Sequence, residues 1–282
     1  MADILVIHTG GTIGMVAGPN GLQPGKGLVE AALRDLGVAP RMEVFDPLVD
    51  SADIGPRDWN RMLDLIEGFR GDGVIVVHGT DTMALTGAAL SQALGDLAFP
   101  VVLCGSMKPL GQGGDSEGNL ALALQAAQGK PGVWLAFAGK VLPGAGLVKS
   151  DSQAADSFRS VPQDGFAPKA RRFDPYRRLA VLTLTPGLPV GFVRAALQEL
   201  DGAVLRVFGA GTMMHDPALH AVLAAAVRRG CHLRAVSQCE SGGLVPAAYA
   251  AGAAIWQAGI ENGGRETPEV ALMRLWLSQK PE

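Results

Sequence analysis

The sequence predicts an α/β protein of two domains, a larger N-terminal parallel-sheet domain of the Rossmann-like or flavodoxin-like kind and a smaller C-terminal α/β domain. Three observations predict it. Short β-branched runs alternate with amphipathic stretches along the chain, the pattern of a parallel sheet with helices on both faces. Several of those runs are apolar at almost every position, as strands covered on both sides must be. The alternation then breaks once, in a proline-punctuated stretch, and starts again.

The predicted strands are Ile4–His8, Val74–His78, Val101–Cys104, Val133–Ala138, Leu179–Leu184, Val204–Phe208 and Leu233–Ser237. Between them, Trp59, Met62, Leu63, Ile66 and Phe69 recur at helical spacing behind Pro56, which suits a first helical turn. Helices are also predicted over Thr82–Leu94, Asn119–Ala127, Val190–Leu200, Pro217–Arg229 and Thr267–Leu277. The stretch from Asp151 to Arg178 has no clear strand or apolar helix face; Pro162, Gly165, Pro168 and Pro175 punctuate it, and its end is basic. The expected organisation is therefore an N-terminal domain over 1–160, a solvated linker over 161–178, and a C-terminal domain over 179–282.

Composition narrows the function. With 24 basic and 27 acidic side chains the net charge is −3, too balanced for an electrostatic nucleic-acid binder. The basic stretch before Leu179 lacks the interleaved aromatics of a base-stacking platform. Mean hydropathy is +0.22, but the longest uncharged stretch, Ser241 to Ile260, is mostly Ala and Gly and contains Pro246. A spanning helix is not expected. The N-terminal run reads as a first strand, with neither basic leader nor cleavage site. Cys104, Cys231 and Cys239 are odd in number and lack metal-ligand spacing, so reduced thiols and a cytoplasmic protein are expected.

Glycine is used 38 times, roughly twice the average, and it clusters at strand ends. His8-Thr9-Gly10-Gly11-Thr12-Ile13-Gly14 follows the first strand, and His78-Gly79-Thr80-Asp81-Thr82-Met83 the second. Ligands of open parallel sheets bind beyond the carboxyl ends of the strands, and glycine beside a hydroxyl residue lets backbone N–H groups approach an oxyanion. The first motif lacks the spacing of a dinucleotide fingerprint, and no phosphate-binding Gly-Lys-Ser/Thr is present. The glycine- and proline-rich segment from Met15 to Gly27 suits a mobile lid. His215 and His220 are five apart, which is not the spacing of a helical metal pair; Asp216 and Pro217 read instead as the cap and first turn of a helix.

Thr-Gly-Gly-Thr-Ile-Gly at 9–14 and His-Gly-Thr-Asp-Thr-Met at 78–83 resemble the two signatures of the bacterial-type L-asparaginases of the cytoplasmic kind. The resemblance extends to Asp50-Ser51, to Gly105-Ser106 and to Ser237-Gln238-Cys239, and so covers almost the whole chain. It implies an amidohydrolase that converts L-asparagine to L-aspartate and ammonia through a threonyl acyl-enzyme, with no metal and no organic cofactor. Thr12 is the implied nucleophile, and Thr80, Asp81 and a lysine form an implied second triad. Lys149 fits that lysine best, and Lys140 is the other candidate. A lysine there acts either as a base, if burial neutralises it, or as an orienting cation held by Asp81. The substrate-binding set implied is Gly11, Asp50, Ser51, Gly79 and Ser106, with Ser51 and Asp81 facing the α-carboxylate and α-amino groups.

The sequence departs from the family pattern at one place. A lid tyrosine is usual where this chain has Leu22, and its two tyrosines, Tyr176 and Tyr249, are remote. Either another group or water substitutes, or the Thr80–Lys149 pair acts as base for Thr12, or activity is low. The resemblance also implies a homodimer or homotetramer whose sites are completed by a neighbouring subunit, with Cys239 to Gly243 a contributor in trans. Glutamine or another small amide is the alternative substrate, and a non-catalytic amino-acid-binding relative is the alternative from another class. An amidotransferase subunit would need a further partner-binding region that the sequence does not contain.

Overall fold

The first apolar run forms β1 (Ile4–His8), buried at all five positions, and the next element is not a loop. Met15–Gly18 (β2) and Gly21–Pro24 (β3) pair as an antiparallel hairpin with Gly18 opposite Gly21. Both strands are short and exposed or partly exposed, so no apolar alternation marked them. A short helix α1 (Leu28–Asp35) follows, with Val29 and Leu33 on its buried face. It leads to β4 (Arg41–Val44), a polar strand at the sheet margin. Charged residues suit an unprotected edge, which is why this strand too was invisible to a search for apolar runs.

The elements that follow lie close to the expected positions. They are α2 (Pro56–Gly68), β5 (Gly73–Val77), α3 (Met83–Ala93), β6 (Pro100–Cys104), α4 (Ser116–Ala126) and β7 (Gly132–Phe137). Pro56 occupies the first turn of α2, and β5 and β6 are buried throughout. Three unforeseen strands finish the first unit: β8 (Lys140–Pro143), β9 (Leu147–Lys149) and β10 (Phe158–Ser160). The main sheet has the order β4-β1-β5-β6-β7-β8. All its pairs are parallel except β7 with β8. The computed structural model describes residues 2–19, 21–246 and 248–278, divided into compact units Met1–Ser160 and Val161–Glu282.

The second unit holds β11 (Leu179–Thr183), α5 (Val190–Glu199), β12 (Gly202–Val207), α6 (Pro217–Arg228), β13 (His232–Ser237), α7 (Ala253–Gln257), β14 (Glu261–Asn262) and α8 (Pro268–Leu277). Its four strands are parallel in the order β11-β12-β13-β14. Asp216 caps α6 as its sequence suggests, accepting from the backbone N–H groups of Ala218 and Leu219. Residues 161–178 differ from the solvated linker expected. Phe173 is 1% exposed and meets Trp276 edge-on. Lys169 and Ala170 donate backbone N–H groups to Leu277 O, and the Arg177 guanidinium donates to Leu275 O and Trp276 O. The segment thus satisfies the unpaired carbonyls at the end of α8, where a cation is also favoured by the helix dipole.

A buried ion cluster braces this second sheet. The Glu266 carboxylate accepts from Arg234 through two bonds of 2.6 Å and from Arg274 at 2.5 Å, and both Glu266 and Arg274 have side chains 5% exposed. Arg234 also pairs with Glu261, which is half exposed. All three cysteines are free; Cys104 and Cys231 are buried and Cys239 is exposed. No helix is long and apolar enough to cross a membrane among the described residues.

Removing one partner of a buried ion group leaves the others uncompensated, at a cost of about 3–5 kcal/mol. Glu266→Gln is therefore expected to lower the urea midpoint strongly, whereas Glu261→Gln should cost about 1 kcal/mol or less. Denaturation followed by circular dichroism compares the two.

Candidate active site

β1 and β5 lie side by side with His8 opposite Val77, so the two glycine-rich turns leave the sheet at one level. The chain passes from β1 to β4 on one side and from β5 to β6 on the other. The crevice between β1 and β5 is thus the point where the strand order reverses, the usual ligand position in such sheets. Thr9 ties the two turns together: its N–H and hydroxyl both donate to Val77 O, at 3.0 and 2.9 Å. Val49 N–H in turn donates to Thr9 O at 2.7 Å.

Glycine makes these approaches possible. Gly10 and Gly11 have φ of 138° and 99°, which L side chains rarely adopt. A Cβ on Gly10 would lie 2.2 Å from Val49 O, and one on Gly11 would lie 2.5 Å from Gly79 N. A Cβ on Gly79 would stand 2.6 Å from Ser51 Oγ. The segments around Gly11, Ser51 and Gly79 therefore touch through backbone and one small side chain. Thr12 follows Gly11 and, itself half-buried, opens a turn, Thr12–Gly14, whose other two residues are buried. Ser51, 3% exposed, opens another that Asp50 caps by accepting from Ala52 N–H at 2.9 Å. The Thr82 hydroxyl donates to Ser51 O.

Lys149 ends β9, which is held antiparallel to β10 with Lys149 opposite Phe158. Its ammonium nitrogen stands 3.0 Å from Thr80 Oγ1 and 2.6 Å from Asp81 Oδ1. Thr80 is 8% exposed, whereas the Asp81 side chain is 71% exposed. Lys140 instead pairs with Asp156 at the surface, so of the two lysines Lys149 is the one brought to Thr80. Gly87 on α3 helps: a Cβ there would meet Gly144 O at 2.7 Å and Leu147 Cδ1 at 2.8 Å. The helix can therefore lie directly against the segment that delivers Lys149.

The other positions fall differently. Ser106 is 1% exposed and its hydroxyl donates to Lys108 O, closing its own turn. Leu22 lies on β3 opposite Ala17 and is 48% exposed. His220 approaches Met214 O with Nε2, and no group of three metal-ligating side chains exists among the described residues. In the second unit, Gln238 donates through its amide to Leu184 O and Arg206 O, fixing the ends of β11 and β12.

Two supports escaped the sequence reading. Asp115 accepts from Met107 and Lys108 N–H and from the Asn119 amide, and Asn119 also donates to Gly105 O and accepts from Ala138 N–H. This clamps the loop after β6, and nothing in the spacing announces it. The second support is a buried chain behind the β5 turn. His78 Nδ1 lies 2.7 Å from Gly79 O, which can only accept, so Nδ1 carries the proton. Nε2 then accepts from the Thr86 hydroxyl at 2.9 Å, and Thr86 Oγ1 accepts from Trp59 Nε1–H at 3.0 Å. Complete burial pushes the His78 pKa down to about 4, against smaller opposing effects of Gly79 and Asp58.

Because unfolded His78 regains its ordinary value of 6.5, the unfolded chain binds the extra proton between pH 6.5 and about 4. Neutral His78 therefore contributes stability that is complete above pH 6.5 and lost as pH falls toward 4, on the order of 3 kcal/mol. Thermal unfolding from pH 7 to 4.5 should show a shallower loss in His78→Gln than in the wild type. Equal slopes would remove His78 from the acid response.

The family model described as “Asparaginase, N-terminal” matches residues 3–172, and that described as “Glutaminase/Asparaginase C-terminal domain” matches residues 178–280. L-asparaginase 1 of Escherichia coli K12 is 31% identical, the match covering 97% of this chain and 90% of that protein. The crystal structure of L-asparaginase I from Vibrio cholerae superimposes with a TM-score of 0.84 at 28% identity, covering 100% of this chain and 94% of that one. The 60 kDa lysophospholipase of Mus musculus is 30% identical over 96% of this chain but 57% of its own length. The chain, whose two units follow the two-domain pattern of these structures, belongs to the asparaginase family of amidohydrolases.

Proposed function

We propose that the protein is an L-asparaginase (EC 3.5.1.1), hydrolysing L-asparagine to L-aspartate and ammonia, with Thr12 as nucleophile. The observation that carries this reading is the contact of Lys149 with both Thr80 and Asp81 at the strand end whose Gly79 touches Gly11. Thr12 Oγ attacks the carboxamide carbon, the C–N bond breaks, and the nitrogen leaves as ammonia with the proton that Thr12 gave up. Water then adds to the acyl-enzyme, the bond to Thr12 Oγ breaks, and the second water proton returns to Thr12. Lys149 holds the Thr80 hydroxyl by donating to its oxygen, which leaves the Thr80 proton free to face the reacting amide or water. Exposed Asp81 meets the substrate's α-ammonium, and Ser51 with the backbone of Gly11 and Gly79 meets its α-carboxylate. Family membership supports a homodimer or homotetramer in the cytoplasm, with each site completed by a neighbour.

Exposed Leu22 on the hairpin favours a second reading, a relative that binds amino acids without efficient turnover, because a leucine supplies no hydroxyl to activate Thr12. Ammonia release separates the two. Wild type should release ammonia from L-asparagine, and Thr12→Ala should lower kcat by about 10³-fold or more. Thr80→Ala should lower it by roughly 10²–10⁴-fold. Preference over L-glutamine rests on one methylene, worth about 1–3 kcal/mol, and is read in the same assay. Aspartate binding by calorimetry with no ammonia from either amide would leave the binder.

A further inference from the structure

Thr82 stands where a threonine ordinarily serves its own helix. It immediately precedes α3, and a threonine at that position usually accepts from the N–H of the second or third helical residue. Thr82 makes no such bond. Its hydroxyl donates instead to Ser51 O at 2.5 Å, 31 residues away in the chain. A side chain that leaves the local role of its type for a distant partner marks a position under another constraint.

The partner explains the constraint. Ser51 lies beyond β4, which ends at Val44, so no sheet ladder fixes it. Its turn is tied to the β1 side by Val49 N–H, which donates to Thr9 O, and is closed internally by Ile54 N–H, which donates to Ser51 O at 3.2 Å. The Asp50 cap on Ala52 N–H is internal as well. The Thr82 bond is what joins this turn to the segment that starts at Gly79, against which the Ser51 hydroxyl lies. With its carbonyl anchored, Ser51 can move its hydroxyl chiefly through χ1, and burial to 3% exposure restricts that rotation. We propose that Thr82 is a positioning residue, which sets the affinity of the site for the substrate's α-carboxylate by holding Ser51 against the β5 turn. The inference rests on the reading of Ser51 as a carboxylate contact. Among the described residues the Thr82 hydroxyl has no bond to Thr12, Thr80 or Lys149, so its loss acts on binding rather than on the chemical step.

Ammonia release from L-asparagine by the full-length chain compares Thr82→Val, which keeps the branched shape and loses the hydroxyl, with Thr82→Ser, which keeps the hydroxyl. Thr82→Val is expected to raise KM about three- to tenfold with kcat within about twofold of wild type, and Thr82→Ser to stay near the wild-type KM. In a Ser51→Ala background, Thr82→Val is expected to add nothing further, because the group it positions is gone. Neither variant removes a helix cap; circular dichroism checks the fold, and Thr82→Ala replaces the valine if it distorts the turn. An unmoved KM in Thr82→Val, a fall in kcat as large as the rise in KM, a Thr82→Ser no better than Thr82→Val, or full additivity with Ser51→Ala would each overturn the proposal. Calorimetric binding of L-aspartate separates this outcome from the hydrolytic reading. Weaker aspartate binding by Thr82→Val with no ammonia from any variant refutes hydrolysis and upholds Thr82, whereas normal hydrolysis with KM and aspartate affinity unmoved does the reverse.

Discussion

The close approach between the backbones at Gly11 and Gly79 is the constraint on which the rest of the candidate site depends. No side chain can enter between them: a Cβ on Gly11 would lie 2.5 Å from Gly79 N, well inside van der Waals contact distance. Thr12 and Thr80 each stand one residue beyond this contact, so their separation is set by it rather than by flexible side chains. Further contacts are equally close, Gly10 against Val49 O and Gly79 itself against Ser51. Reactions that depend on alignment lose about 10²-fold for displacements near 1 Å, which is the scale at which an added methyl group would push these turns apart.

Around that contact the protein uses buried, directional hydrogen bonds in place of bulk. The Trp59–Thr86–His78 chain runs from α2 through α3 to the carbonyl of Gly79, and each link has one possible donor. Asp115 and Asn119 perform the same task for the loop after β6 and for Ala138, whose φ of 49° is otherwise unfavourable. Such groups are costly when unpaired and rigid when paired. The exposed end of the site is Asp81, the group proposed to meet the substrate's ammonium, so rigidity and access are divided between neighbouring residues.

What the sequence disclosed follows from burial. Strands covered on both faces, such as β5 and β6, appear as unbroken apolar runs, and their ends were legible to within about one residue. Short or polar strands were not: β2, β3 and β4 have four residues each with little burial, and β9 with β10 amount to three residues each. Lys149 was proposed by resemblance, while its physical delivery, through β9 and the glycine gap at Gly87, is a long-range matter that no local pattern carries. The basic stretch before β11 looked solvated because its partners, the last carbonyls of α8, lie about a hundred residues further on. Charge alone did not reveal that it completes a helix end.

The unequal burial of the three cysteines has a practical consequence for chemistry on the native chain. Alkylating reagents and oxidants attack the thiolate, and burial, with the charge of Asp115, raises the Cys104 pKa to about 12. Desolvation raises that of Cys231 too. Of the three, only Cys239 is an exposed residue. On a chain whose Cys239 no neighbouring subunit covers, a maleimide fluorophore or spin label will therefore attach at one position without any engineered substitution, just beyond the carboxyl end of β13.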